Sequence, residues 1–489
     1  MALKGFVKDF SRYFQTAKKH ISELKITNSS DAAMSDPKKL EKVIFEMDMA
    51  HGILQHHDAV AGTATQIVTD DYVATGLRAI SAFNKLYSGI KKEEIKKETA
   101  ESVSDLYINL FWNETGTATG LTQSLNAGKT VLVSFYNPGS KGTYPVRLRV
   151  PPKDLNVLGQ DNLSIPGDVV CANLRDTSDC ELLFNLAIGE SSNAYVKLSA
   201  SKDGSAKLIP LKELTESSAS KEFILGDDRL RFIPSSQFFD LTIDGNTRSF
   251  QIFYNYYIGW NKGGQSSGAY IFRPISHISK LYSKIHKIHF VEGLTTVMIV
   301  LEGDNTLTRV YFSTTRDYVQ DYGFMIETQI DSISIEDGTG KEVTLNLKTD
   351  NNNNFMFFTD SMGLEEQKRI INFRPAWNLT VFEPAAGNYY PINSFIRIQD
   401  VKTNGSITVL TDRSQGGSVL REGEIEIMIH RRLLTDDWRG VEEPLNETDA
   451  DGEGLRQTVR HYVVFGDQYR RVQKWIDQRI LPTFGISQS

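Results

Sequence analysis

Leu54-Gln55-His56-His57-Asp58-Ala59-Val60-Ala61-Gly62-Thr63 closes a strongly helical segment with two adjacent imidazoles and a carboxylate, then continues through small residues to a glycine. A histidine pair with an acid at a helix end can supply a metal ligand and a hydroxyl-binding carboxylate together. The same pattern also suits a packed or capping histidine, so taken alone the stretch leaves a metal site and a structural role both open. Upstream, Leu3, Phe6, Val7, Phe10, Tyr13, Phe14, Ala17, Ile21 and Leu24 recur at helical spacing along one face. Asn28 to Ala33 breaks that pattern. Ser35-Asp36-Pro37 reads as a second helix start, with Leu40, Val43, Ile44, Met47 and Leu54 as its apolar stripe. A third pattern begins near Thr65 and runs through Ile67, Val68, Tyr72, Leu77, Ile80, Phe83 and Leu86. Three helices of similar length with short connections predict an antiparallel three-helix bundle over residues 1–97. The charge run Lys91 to Glu98 reads as its solvated exit.

From about residue 104 the apolar period falls to two. Thr130–Tyr136 and Thr143–Val150 flank Gly139-Ser140-Lys141-Gly142, a hairpin signature, and Leu241–Ile243 and Ser249–Phe253 flank Asp244-Gly245-Asn246 in the same way. Further tips are expected at Gly303-Asp304-Asn305 and Asp337-Gly338-Thr339-Gly340. Regular short strands of this kind predict antiparallel β-sandwiches. The expected fold class is therefore α+β and multidomain. A three-helix bundle (1–97) precedes a small β-sandwich domain (98–210) and a large β-sandwich region (211–489).

The 489 residues are 40% hydrophobic, enough for real cores, and carry a net charge of -7, which argues against a nucleic-acid partner. No apolar run is long enough to cross a bilayer. The N-terminus Met1-Ala2-Leu3-Lys4-Gly5-Phe6 lacks the features of a secretory signal. Six Asn-x-Ser/Thr sequons nonetheless point to the secretory route, at Asn28, Asn113, Asn162, Asn378, Asn404 and Asn446. A luminal chain without a leader is expected to have lost its true N-terminus. The two cysteines, Cys171 and Cys180, lie close enough for a disulfide and are equally compatible with two free thiols.

Four stretches stand out from the strand background: Ser266–Phe272, Ala386–Asn393, Thr411–Ser418 and Met428–Gly440. They gather the Tyr, Arg, Asp and Trp that a sugar pocket needs for hydroxyls and for an apolar ring face. A satisfied inter-domain network would use the same residues. His277, His286 and His289 read as one partly exposed face, and neither a phosphate loop nor a G-x-S-x-G elbow is present.

Gln55–Thr63 at the end of the second helix resembles the helical domain of the family 38 glycoside hydrolases, most closely their lysosomal or vacuolar α-mannosidase branch. The resemblance continues, in the family's order, through Ser267–Pro274, Phe358–Ser361, Ala386–Pro391, Leu410–Ser418, and His430–Leu434 with Asp436-Asp437 and Arg439-Gly440-Val441. It implies a zinc-dependent retaining α-mannosidase acting on terminal α-mannosyl residues of glycans, in a lysosome, vacuole or secretory compartment. By the same resemblance His57 is a zinc ligand, Asp58 holds mannose hydroxyls, Tyr270 reaches into the −1 subsite, and an arginine of Arg431-Arg432, taken as Arg431, contacts substrate or pocket wall. Cys171 and Cys180 fall where that branch carries a short-range disulfide. The family's His-x-Asp-Pro-Gly-Trp signature is missing. The nucleophile, the acid and the other zinc ligands are thus expected from an N-terminal domain, in cis or as a separate chain, with no catalytic residue in this one. The alternative is a non-catalytic mannoside-binding or interaction protein derived from such an enzyme.

Overall fold

The fold is taken from a computed structural model that describes residues 2–26, 36–108, 115–172, 180–315, 323–477 and 480–487. Asn28 and Asn113 lie outside the described residues. Helices α1 (Ala2–Ile26), α2 (Pro37–Leu54) and α3 (Gln66–Thr99) come first. Helix α2 starts as its sequence requires: Pro37 takes the first helical position, and the Asp36 carboxylate accepts the Lys39 N–H at 3.1 Å. Phe10, Phe14 and Ile21 of α1, Leu40, Met47 and Leu54 of α2, and Ile80, Phe83 and Tyr87 of α3 share one buried core.

Three sheets follow. The first has nine strands, eight drawn from residues 103–209 and the ninth, Leu481–Ser487, inserted in its interior, where it pairs with both Val103–Ile108 and Val131–Asn137. The tail of the chain is thereby built into the sheet that the helices enter. The other two sheets, of nine and ten strands, bury a common core: Phe250, Ile252, Leu345 and Ile427 from one, Ile299, Val310, Ile326, Val409 and Val463 from the other. Alternating burial along Gly142–Val150 marks a strand with one face inward, while Glu424–Ile429 is buried on both faces.

Two expected hairpins form. Asp244 and Gly245, with φ of +49° and +77°, make the two-residue loop that pairs Ile243 with Asn246, and Gly303–Asn305 lies in the turn that pairs Glu302 with Leu307. Two others do not. Val131–Asn137 pairs with Ser192–Ala200 and Leu481–Ser487, whereas Gly142–Val150 pairs with Cys180–Ile188 at the far edge of the sheet. Asn137 replaces hairpin pairing by bonding locally, its carboxamide oxygen accepting the Gly139 N–H at 2.9 Å and its nitrogen donating to the carbonyls of Ser140 and Gly189. Asp337–Gly340 likewise links strands of different sheets, with Lys341 Nζ on the Asp337 carboxylate at 2.8 Å. Cys171 and Cys180 form a disulfide.

The parts meet through buried charge. Asp168, 1% exposed, accepts the backbone N–H groups of Leu294 and Thr295 at 2.7 Å and the Thr295 hydroxyl at 2.6 Å, tying the first sheet to a turn of the ten-stranded one. Glu327 accepts Arg147, Arg309 and Arg460. The Lys91–Glu98 run, expected to be solvated, is a joint as well. Lys91 and Glu94 are 1% and 3% exposed. Glu94 pairs with Lys91, accepts Asn193 Nδ2 from the first sheet at 2.9 Å, and lies 2.8 Å from His20 Nε2 on α1. Here tertiary packing overrides the local charge pattern.

Burial opposes ionisation of Glu94, but Lys91 and His20 outweigh it and bring its pKa down to about 2. A carboxylate whose folded pKa is depressed stabilises the fold above its ordinary value near 4.5, and that stability is lost as pH falls toward 2. Glu94→Gln should therefore lower the unfolding free energy by about 3 kcal/mol at pH 7. In urea titrations the gap to the parent protein should hold down to about pH 4.5 and narrow below it.

Candidate functional site

The end of α2 is shaped to turn two imidazoles outward. Ala59 and Val60 each donate a backbone bond to the His56 carbonyl at 3.0 Å, and Gly62 and Thr63 donate to that of Asp58 at 3.0 Å. Gly62 sits at φ +71°, a conformation that favours glycine. Leu54 and Ala59 are fully buried and pin the segment on either side, so His57 projects with its side chain 83% exposed. His56 Nε2 and His57 Nε2 stand 3.3 Å and 3.8 Å from Asp58 Oδ2. The three prospective ligand atoms lie within 4.8 Å of one another. The Thr63 hydroxyl donates to Asp58 Oδ1 at 2.8 Å, and this bond, helped by both imidazoles, holds the Asp58 carboxyl below the usual carboxylate range. Two imidazoles and one carboxylate are a donor set suited to zinc, and three donors leave room for ligands from elsewhere.

Tyr270 approaches from the β region. Its hydroxyl is 3.5 Å from Asp58 Oδ1, although 212 residues separate the two. The Tyr270 loop is fixed from below by Asp437, which is fully buried. Asp437 Oδ2 accepts the backbone N–H groups of Tyr270 at 2.6 Å and Ile271 at 3.0 Å. Gly268 makes this possible, because a Cβ there would come within 2.6 Å of Asp437. Arg431 lies under the same loop, donating to the Ile271 carbonyl at 2.8 Å and to Glu342 Oε1 through both Nε and Nη2. Burial pushes the Glu342 carboxyl up while Arg431 opposes the rise. Arg432 turns the other way, to Asn446 Oδ1 at 2.7 Å and the Ile333 carbonyl at 2.9 Å. Near Gly62, burial and then the Arg431 charge bring the Lys4 ammonium down to about 8.

The structure thus brings His57, Asp58 and Tyr270 together and sets Arg431 one layer beneath. Other stretches that looked chemical are internally bonded. His430 is buried on the Leu455 carbonyl at 2.8 Å, Tyr389 donates to Glu426 at 2.8 Å, and Gln415 meets His461 at 2.9 Å. Thr63 and Asp437 lie in stretches that the sequence marks but receive no role there, and Glu342 is not marked at all. Asp437 had only its pairing with Asp436 as a signal, and Glu342 had none. Of the four described sequons, Asn162, Asn378 and Asn404 are exposed and Asn446 is half-buried against Arg432.

With this geometry in place, residues 243–439 match the C-terminal domain of the glycosyl hydrolases family 38. The chain is 31% identical over 474 residues to a lysosomal alpha-mannosidase of Dictyostelium discoideum, covering 91% of this chain and 46% of that protein. Against the Homo sapiens lysosomal alpha-mannosidase the identity is 33% over 435 residues, covering 86% and 41%. The crystal structure of an alpha-mannosidase from Enterococcus faecalis V583 has the same fold at a TM-score of 0.59 and 12% identity, covering 98% of this chain and 57% of that one. The chain belongs to glycosyl hydrolase family 38 and represents its C-terminal portion; it spans about half the length of the curated relatives it matches.

Asp437→Ala would leave the partly buried N–H groups of Tyr270 and Ile271 without an acceptor, at about 2 kcal/mol. Hydrogen exchange at these two amides should accelerate at least about tenfold, while amides of the core strand Glu424–Arg432 keep their protection.

Proposed function

We propose that this chain forms one wall of an α-mannosidase active site that hydrolyses terminal α-mannosyl residues of glycans by a zinc-dependent retaining mechanism. The carrying observation is the convergence of His57, Asp58 and Tyr270 from two distant parts of the chain. In this reading His57 is the chain's ligand to zinc, with its remaining ligands, the nucleophile and the acid supplied by an N-terminal domain in cis or as a separate chain. Zinc, when bound, orients sugar hydroxyls and withdraws charge from them. Asp58, held ionised by Thr63, accepts sugar hydroxyls. Tyr270 donates or accepts beside it, and Arg431 positions the Tyr270 loop rather than reaching the sugar. The three N-terminal helices act as the bundle joining the catalytic domain to the β region, with residues 1–97, 98–210 and 211–489 as the working units, the second completed by the strand Leu481–Ser487 from the end of the third. A lysosomal, vacuolar or other secretory location follows from the named relatives, the disulfide and the sequons, which we take as N-glycan sites. No described helix is long and apolar enough to cross a membrane.

Support for such a docked domain comes from α2. Phe45, Met49 and Ile53, spaced by four, are 62%, 51% and 41% exposed and form an apolar stripe leading to His57. We take this face as the seat of the catalytic domain. Phe45→Glu with Met49→Glu should reduce dye binding by the isolated chain and abolish its assembly with the catalytic half. Undiminished assembly would place that domain elsewhere.

Zinc calorimetry tests the site directly. In the assembled protein His57→Ala should weaken zinc binding at least about tenfold and remove hydrolysis of an aryl α-mannoside. Stoichiometric zinc with full activity in that variant would overturn the assignment. Mannoside binding without hydrolysis in the zinc-loaded assembly would instead favour a non-catalytic binding protein.

A further inference from the structure

The segment that carries Asp437 also forms the rim of the site. At one end Asp437 holds the Tyr270 loop. At the other, Glu443 Oε2 accepts the backbone N–H of Gln66 at 2.8 Å, three residues beyond the Thr63 that bonds Asp58. Residues 438–442 therefore run between the Tyr270 loop, whose tyrosine reaches Asp58, and the start of α3. Three of the five have left-handed backbone: Trp438 at φ +63°, Gly440 at +107° and Glu442 at +62°.

Trp438 is the unusual one. A bulky aromatic residue in this region costs about 1–3 kcal/mol, whereas glycine or asparagine adopts it readily. The strain is maintained, because Asp436 Oδ2 accepts the Trp438 N–H at 2.6 Å. Burial does not offset it, since the residue is 74% exposed. An indole is thus held out into solvent beside a cluster of hydroxyl-binding groups, at an energetic cost the fold does not recover by packing. What such a surface offers is a flat apolar face with a polar edge, complementary to the C–H face of a pyranose.

We propose that Trp438 is a specificity-determining residue that stacks on the sugar ring at the leaving-group side of the mannose held at Asp58, favouring oligosaccharides over mannosides with a small leaving group. The inference rests on the mannosidase reading above. Terminal mannose occupies the groups at the centre, so the next ring must lie toward the rim, where Trp438 stands.

Trp438→Gly removes the indole and suits the backbone, so its melting temperature should be equal to or above the parent's. In the assembled enzyme, the ratio of kcat/KM for α-mannobiose to that for α-mannosyl fluoride, whose leaving group has no ring, should fall about tenfold. An unchanged ratio would overturn the proposal. Failure of the mannosidase reading is seen separately, as a parent assembly that hydrolyses neither substrate. In that case indole emission decides: α-mannobiose should shift it in the parent chain and not in Trp438→Gly, and identical responses would refute the stacking role.

Discussion

The site depends on one buried carboxylate taking two backbone N–H groups. Asp437 has no solvent to fall back on, and Tyr270 and Ile271 have no strand partner there, so each side leaves a buried polar group unpaired if the other moves. That mutual dependence fixes the loop beyond the antiparallel bridge of Gly259 and Pro274 at its base. Ser267 reinforces it, accepting the Arg273 N–H at 2.7 Å and donating its hydroxyl to the Arg273 carbonyl at 2.9 Å. The consequence reaches the surface: Tyr270, half exposed, can aim its hydroxyl at Asp58 only because its backbone has one position.

The same economy of means recurs between the larger parts. Glu94, Glu327 and Asp168 are each nearly inaccessible, and each is satisfied by groups from another element. A buried carboxylate in such a place adds little net stability over an apolar contact but strongly penalises any other arrangement of the parts. Three arginines outweigh burial at Glu327 and keep its carboxyl well below the usual range, as Lys91 and His20 do at Glu94. Joints of this kind stay charged in mildly acidic surroundings. An imidazole of ordinary pKa would instead change its charge there. His461 and His430, both buried with pKa values pushed to about 4, bond through groups that need no imidazolium.

Much of this was legible in the residues. Helix α2 announces itself through Asp36-Pro37 and an unbroken stripe, and the Asp244-Gly245 hairpin through residues that tolerate positive φ. The turns at Gly139–Gly142 and Asp337–Gly340 carry the same chemistry yet join strands that never pair. Turn residues report that the chain reverses or swerves locally; they say nothing of which sheet receives the next strand. Lys91 and Glu94 failed for a similar reason, because His20 and Asn193, the partners of Glu94, lie 74 and 99 residues away in sequence. At the site, His57 and Asp58 were marked by their adjacency, while Asp437 and Glu342 act only through groups distant in the chain. Local patterns reveal what touches solvent or ligand more readily than what holds it in place.

That division has a structural cause. The groups facing outward at the site come from the α2 turn and the Tyr270 loop, and their relative position is set where helices and sheets meet. Gln66 to Glu443 is a direct bond across this seam, and Asp58 to Tyr270 is another. Any shift of the helices against the β region would therefore lengthen the Tyr270–Asp58 contact before disturbing either core. Buried joints remote from the site, such as Glu94 with His20 and Asn193, act on its geometry through the rigid length of α3, whose N-terminus carries Gln66 and whose C-terminal half carries Glu94. A helix of 34 residues converts a small rotation at one end into a displacement at the other. Precision at these outward-facing groups is thus a property of the joints, and the charge buried in them persists under mild acidity.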